Sequence, residues 1–162
     1  MYRSATPQYA RGADLLSGTG SRTHGGRFNP PRAFAAIYAS LDPETAMAET
    51  LAHFRYYGIP EHAAMPRVFA ALDVGLRRVL DLGDARVLKK LALSTEALVR
   101  DDWRRAQDAG EASLGQALGA AVFELEKWEG LIVPSAARDS GRNVVIFPER
   151  LGSKSWVRVL SR

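Results

Sequence analysis

The sequence predicts an α+β fold built as one domain over residues 1–162. Three observations lead there. Apolar runs of strand length, rich in β-branched residues, lie toward both ends of the chain. The long section between them, 84–128, reads as mostly helical, with serines placed to cap its helices. A length of 162 residues with 46% hydrophobic content suits one buried core. Strands at both ends with helices gathered between them are the mark of an α+β arrangement.

Residues 4–33 are rich in Gly, Ser, Thr and Pro and predict irregular chain with one short helix. The run FAAIYAS (34–40) predicts a buried strand. A helix follows in DPETAMAETLAHFRYYG: Asp42 stands as N-cap, Pro43 at the first helical position and Gly58 at the end. Its apolar stripe is Met47, Leu51 and Phe54. Strands are expected at 67–74 and 78–82, turning at Gly75. Ser94 is placed to cap a helix over STEALVRDDWRRAQDAG, and Ser113 the next one. GLIVPS (130–135) and NVVIFP (143–148) predict two strands joined by the polar loop AARDSGR, and 155–160 predicts a last strand.

Composition narrows the chemistry. The chain has no cysteine, so disulfides, thiolate metal sites and a cysteine nucleophile are excluded. No apolar stretch approaches the ~18 residues of a membrane span, and the start has no signal-peptide core. The expected location is the cytoplasm. The net charge of +4 is dispersed, with acidic residues among the basic ones in DDWRRAQD and ELEKWE. That pattern suits a solvated surface better than a nucleic-acid face. His53 and His62 lack metal-ligand spacing, and no metal is expected.

The densest signal is GSRTHGGRFNPPRAFAAIYASLDPETAMAETLAHF. Two glycines precede Arg27, and prolines stiffen the exit of its loop. An arginine so held is either a solvated turn residue or a planar grip for phosphate. Tyr38 is either core or cleft-lining. Glu49 falls nearest Thr45 and Ala46 on the helical wheel, off the apolar stripe. It is either a solvated edge residue or a carboxylate aimed into a cleft. Ser135 ends a strand, where serines serve most often as turn residues.

Taken in order, these pieces resemble the RES-domain family, named for its Arg, Glu and Ser residues. The matching stretches are YRS, SGTGSR with GGRFNPP, YAS, TAMAETLAHF and VPSAARDSGRNVVIFP. Eleven positions separate Arg27 from Tyr38, and eleven more lead to Glu49. Phe28 stands where many members carry Trp, and 84–128 matches only loosely. The resemblance implies a fold like that of ADP-ribosyltransferases, with split, twisted β-sheets around an NAD cleft and flanking helices. It implies a bacterial toxin that consumes NAD as a substrate, without other cofactors, by hydrolysis or phosphorolysis. The alternative it leaves open is transfer of ADP-ribose to a host protein such as a nucleotide-synthesis enzyme. The partner it implies is an antitoxin with a helix-turn-helix DNA-binding region, which plugs the cleft.

Residue by residue, the resemblance assigns Glu49, Tyr38 and Ser135 to catalysis. It assigns Arg3, Arg27, Tyr38 and Asn143 to holding NAD. Cleavage of the nicotinamide–ribose bond spreads positive charge over the ribose, which a fixed carboxylate stabilises. Glu49 is the expected carboxylate, Arg27 and Arg3 the pyrophosphate grip, and Tyr38 a stacking surface for nicotinamide or ribose.

Overall fold

The computed structural model describes residues 1–160, so the last two positions of the expected 1–162 domain lie outside the described residues. Seven strands form one sheet: β1 (Tyr2–Ala5), β2 (Ile37–Ser40), β3 (Val68–Gly75), β4 (Val79–Asp81), β5 (Gly130–Pro134), β6 (Arg142–Ile146) and β7 (Trp156–Val159). Their order across the sheet is β4-β5-β6-β2-β1-β3-β7. The α+β class expected from the sequence is therefore the observed one. β1 is a correction, because nothing in YRSA alternates as a half-buried strand would. It lies inside the sheet, antiparallel to both β2 and β3, with Arg3 opposite Ala70. Its hydrogen-bonding edges are satisfied by neighbours remote in sequence.

Residues 4–33 hold more helix than expected. α1 (Gly12–Ser17) and α2 (Thr19–His24) meet at Gly18, whose φ of 63° a side chain would strain. The strand expected from residue 34 begins at Ile37, and Phe34 and Ala36 enter the core ahead of it.

α3 (Pro43–Tyr56) starts as its sequence predicts. The Asp42 carboxylate accepts from Thr45 N at 2.8 Å, and Pro43 takes the first turn. The face it buries is the surprise. Thr45, Ala46 and Thr50 are buried, whereas Met47, Leu51 and Phe54 are only partly so. Small side chains let α3 settle closely on β1 and β2, and Glu49 shares that inward face.

The helical stretch breaks into α4 (Ala85–Lys90), α5 (Thr95–Arg100), α6 (Trp103–Asp108) and α7 (Leu114–Glu124). Ser94 and Ser113 cap α5 and α7 as expected, the latter through a full capping box with Gln116. The single helix expected after Ser94 is interrupted at Asp101. That residue turns extended, and the Asp102 side chain caps a new helix by accepting from Arg105 N. Short polar side chains compete with the helix for its own donors.

The main core lies between the sheet and the later helices, around Phe34, Phe123 and Phe147. Phe34 and Phe123 stack at 4.1 Å, and Phe147 meets both edge-on. Glu129, just before β5, is 1% exposed yet charged. Its carboxylate accepts from Arg77 N (2.7 Å), Arg78 N (3.3 Å), Gly152 N (3.1 Å) and Ser155 Oγ (2.9 Å).

α7 seats the glycine loop. A Cβ on Gly119 would collide with the Phe28 backbone carbonyl, and one on Gly115 with that of Arg27. Both neighbours are backbone and cannot rotate away. Gly119→Ala is therefore expected to cost about 3 kcal/mol, the upper end of ordinary overpacking. That corresponds to a Tm lower by roughly 6–12 °C for a chain of this size. A thermal melt matching the parent's would show that the loop yields freely.

Candidate active site

Five elements bring the site together. β2 supplies Tyr38, α3 supplies Glu49, β6 supplies Asn143, β1 supplies Arg3, and Ser135 follows the end of β5. The register places Ser40 opposite Asn143 and Tyr38 opposite Val145. α3 crosses above this pairing with its small face down, so Glu49 reaches the sheet.

Glu49 is held by two donors on the same oxygen. Ser135 Oγ donates to Oε1 at 2.7 Å and Asn143 Nδ2 at 2.6 Å. Each donor is itself fixed. Asn143 Oδ1 accepts from Ser40 Oγ at 2.7 Å, which sets the amide's orientation. Ser135 Oγ accepts from the backbone N–H of Ala137 and Arg138, both at 3.1 Å. Among the described residues no bond engages Glu49 Oε2. Ser135 is buried and stands behind the carboxylate rather than on the wall of the cavity described below.

The loop arginine is anchored as well as exposed to the cavity. Arg27 Nη1 donates to Leu98 O at 3.2 Å and Asp101 O at 2.8 Å, tying the loop to the break before α6. Burial lowers its pKa from the usual arginine range, Glu49 and Asp101 raise it, and Arg104 lowers it again. Tyr38 uses its hydroxyl on the same loop: it donates to Asn29 Oδ1 at 2.7 Å and accepts from Phe28 N at 2.9 Å. Burial drives its pKa well above the usual phenol range, so it keeps the proton that Asn29 receives. Its ring lines the cavity beside Gly26, where a Cβ would press on the hydroxyl at 2.6 Å. Arg3 Nη1 donates to Tyr38 O at 3.0 Å, and burial lowers its pKa.

These groups face one cavity of about 1080 Å³, lined by Arg3, Arg27, Tyr38, Glu49 and Asn143 among others. That is the size of a large ligand site. Of the six residues singled out from the sequence, five line it and Ser135 supports it from behind. Among the described residues no group of three or more His, Cys, Asp or Glu is placed to hold a metal.

Another part of the wall is not legible in the sequence. It consists of Tyr56 and Tyr57 at the end of α3, and Trp103 and Arg104 at the start of α6. The Arg104 guanidinium lies 4.5 Å from the Trp103 ring centroid and 4.8 Å from that of Tyr56. Its Nη2 donates to His53 Nδ1 at 3.3 Å, and burial together with Arg104 and Arg67 lowers the imidazole pKa. The Trp-Arg dipeptide and the remote tyrosine pair are the only sequence signals for this wall, and only the fold brings them together. Trp103 and Arg104 lie where the family resemblance is loosest.

The chain is similar to known proteins. NAD(+) phosphorylase MbcT of Mycobacterium tuberculosis is 30% identical over 125 residues, covering 76% of this chain and 62% of that protein. MbcT of Mycobacterium bovis matches to the same extent. The matched region thus spans less than two thirds of these curated relatives. The solved structure of the M. tuberculosis MbcT–MbcA toxin–antitoxin complex superposes with a TM-score of 0.77 at 26% identity, covering 99% of this chain and 80% of that one. The RES domain profile matches residues 1–157, and the chain belongs to the RES domain family.

Proposed function

We propose that this chain consumes NAD by cleaving its nicotinamide–ribose bond, with phosphate or water as acceptor, and that it is the toxin half of a toxin–antitoxin pair. The observation that supports this most is Glu49: a carboxylate with one oxygen fixed by Ser135 and Asn143 and the other uncommitted, beside a cavity edged with arginines. Nicotinamide leaves as a neutral molecule from a cationic centre, so it requires no general acid. What the reaction requires is a fixed anion near the ribose, where positive charge develops as the C–N bond lengthens. Glu49 meets that need, with Ser135 and Asn143 as positioning residues. Arg27 and Arg3 contact the pyrophosphate, and the Tyr38 ring packs on the nicotinamide ribose. NAD is a substrate, and no further cofactor takes part. The names of the relatives support the reading, phosphorolysis above hydrolysis.

In this reading the protein acts in the cytoplasm and is restrained by an antitoxin bearing a helix-turn-helix DNA-binding region, which closes the cavity. No helix among the described residues is long and apolar enough to cross a membrane. The test is incubation of the purified chain with NAD, with and without inorganic phosphate and cell lysate. The expected products are nicotinamide and ADP-ribose-1″-phosphate when phosphate is present. ADP-ribosylated protein from the lysate, with NAD otherwise stable, would favour transfer to a host protein. Intact NAD in every arm would remove the reading altogether.

A further inference from the structure

A second cavity of about 310 Å³ adjoins the first and shares the wall that holds Glu49 and Asn143. Arg3, Arg67, Arg104 and His53 also border both cavities, and Ser4, Ser40 and Thr50 border the smaller one alone. Three arginines thus converge on a space too small for a dinucleotide. Among the described residues none of the three forms an ion pair, although eight other arginines do. Like charges so gathered repel one another unless an anion joins them.

The three guanidinium groups are also held in place. Arg3 Nη1 is bound to Tyr38 O, Arg67 Nε donates to Ser4 Oγ at 3.0 Å, and Arg104 lies against Trp103 and Tyr56. The Nε atoms of Arg3 and Arg104 are buried without a partner. Those atoms are closed to a ligand; the accessible donors left without a bond among the described residues are Arg3 Nη2, Arg104 Nη1 and both Nη atoms of Arg67, which are the groups that an oxyanion accepts from. Arg27 faces only the larger cavity and Arg3 borders both, so Arg27 holds the dinucleotide's pyrophosphate independently of Arg67 and Arg104.

We infer that the smaller cavity binds the attacking oxyanion, inorganic phosphate, between Arg67 and Arg104 and beside Arg3. The inference rests on the phosphorolysis reading above. One phosphate oxygen forms a bond to the anomeric carbon of the nicotinamide ribose. The C–N bond breaks, and its electron pair leaves with nicotinamide, which departs neutral. The proton of the attacking phosphate stays on the new ester or passes to solvent, and nothing is oxidised or reduced. The arginines bring the dianion next to Glu49, which would otherwise repel it, and exclude water from the same position.

The test uses Arg67→Gln and Arg104→Gln, with Arg67→Lys to keep charge without the planar fork, each checked by its melting temperature. Steady-state rates are measured with NAD and phosphate varied separately. The KM for phosphate is expected to rise about ten- to a hundredfold in each Gln variant. The KM for NAD should rise by a smaller factor than the KM for phosphate, because Arg27 still holds the pyrophosphate, and products should shift toward free ADP-ribose. Arg67→Lys should recover part of the phosphate affinity. An unchanged phosphate KM, or a rise in the NAD KM instead, would overturn the assignment. Calorimetric titration with inorganic phosphate alone, at constant ionic strength, keeps the two readings apart. If the parent turns over NAD with no dependence on phosphate, the phosphorolysis reading fails. Phosphate binding lost in the Gln variants would still uphold the site, and no binding to the parent would end it.

Discussion

Glu49→Gln is expected to lower NAD turnover at saturating substrate by about 10²–10³ while the protein stays folded. Glutamine reproduces the shape of the carboxylate and keeps an oxygen that can accept from Ser135 Oγ and Asn143 Nδ2. What disappears is the charge. The loss belongs in kcat more than in KM, because the ribose becomes cationic only as the bond breaks. Melting temperature should shift little, since no ion pair involves this carboxylate among the described residues. Parent-like turnover by the folded variant would remove Glu49 from the chemistry.

The largest expected loss of stability is at Glu129, far from any chemistry. Truncation to alanine leaves four donors without their acceptor: the backbone N–H of Arg77, Arg78 and Gly152, and the Ser155 hydroxyl. Unsatisfied buried donors cost about 1–3 kcal/mol each before water enters. Water entering the vacated space offsets part of this, leaving about 3–5 kcal/mol, the range for removing one member of a buried, hydrogen-bonded ion pair such as Glu129 with Arg78. The melting temperature should fall by roughly 6–20 °C. The effect carries a pH signature. Burial alone would raise this carboxyl's pKa, but the bonds from Arg77 N, Ser155, Gly152 N and Arg78 N outweigh it and hold the pKa below the usual range. A depressed carboxylate contributes stability that is present above the unfolded pKa, about 4.3, and lost as pH falls through the folded one. The gap in stability between parent and Glu129→Gln should therefore narrow below about pH 4. A gap that widens there would reverse the assignment.

Local signals that act within one turn of chain were legible. Asp42 with Pro43, Ser94 and Ser113 each begin a helix as their residue types predict. The β-branched runs before and after the AARDSGR loop form neighbouring strands. What escaped depends on partners distant in the chain. β1 is a strand because β2 and β3 flank it, and no pattern in YRSA shows that. The buried face of α3 follows from the closeness of the sheet, which favours Thr45, Ala46 and Thr50 over larger neighbours. Glu49 lies off the apolar stripe, and its wheel position beside Thr45 and Ala46 puts it on the face that meets the sheet. Residue type alone left it open, and the family resemblance singled it out. Arg67 and Arg104 were invisible to both, since their meaning lies in sharing a cavity wall with Arg3.

The order of the strands also sets a timetable. Asn143, which grips the Glu49 carboxylate, lies 94 positions further along the chain, and β6 is the strand that brings it to β2. At a synthesis rate of about 5–20 residues per second, roughly 5–20 s pass between the emergence of the two. Throughout that interval the nascent chain carries Arg3, Arg27, Tyr38 and Glu49 without the strand that orients the carboxylate. Under the proposed activity, the growing polypeptide leaves the cell's NAD untouched until β6 has emerged. Under the same proposal, a message cut short before Asn143 yields a fragment whose Glu49 lacks one of its two positioning donors.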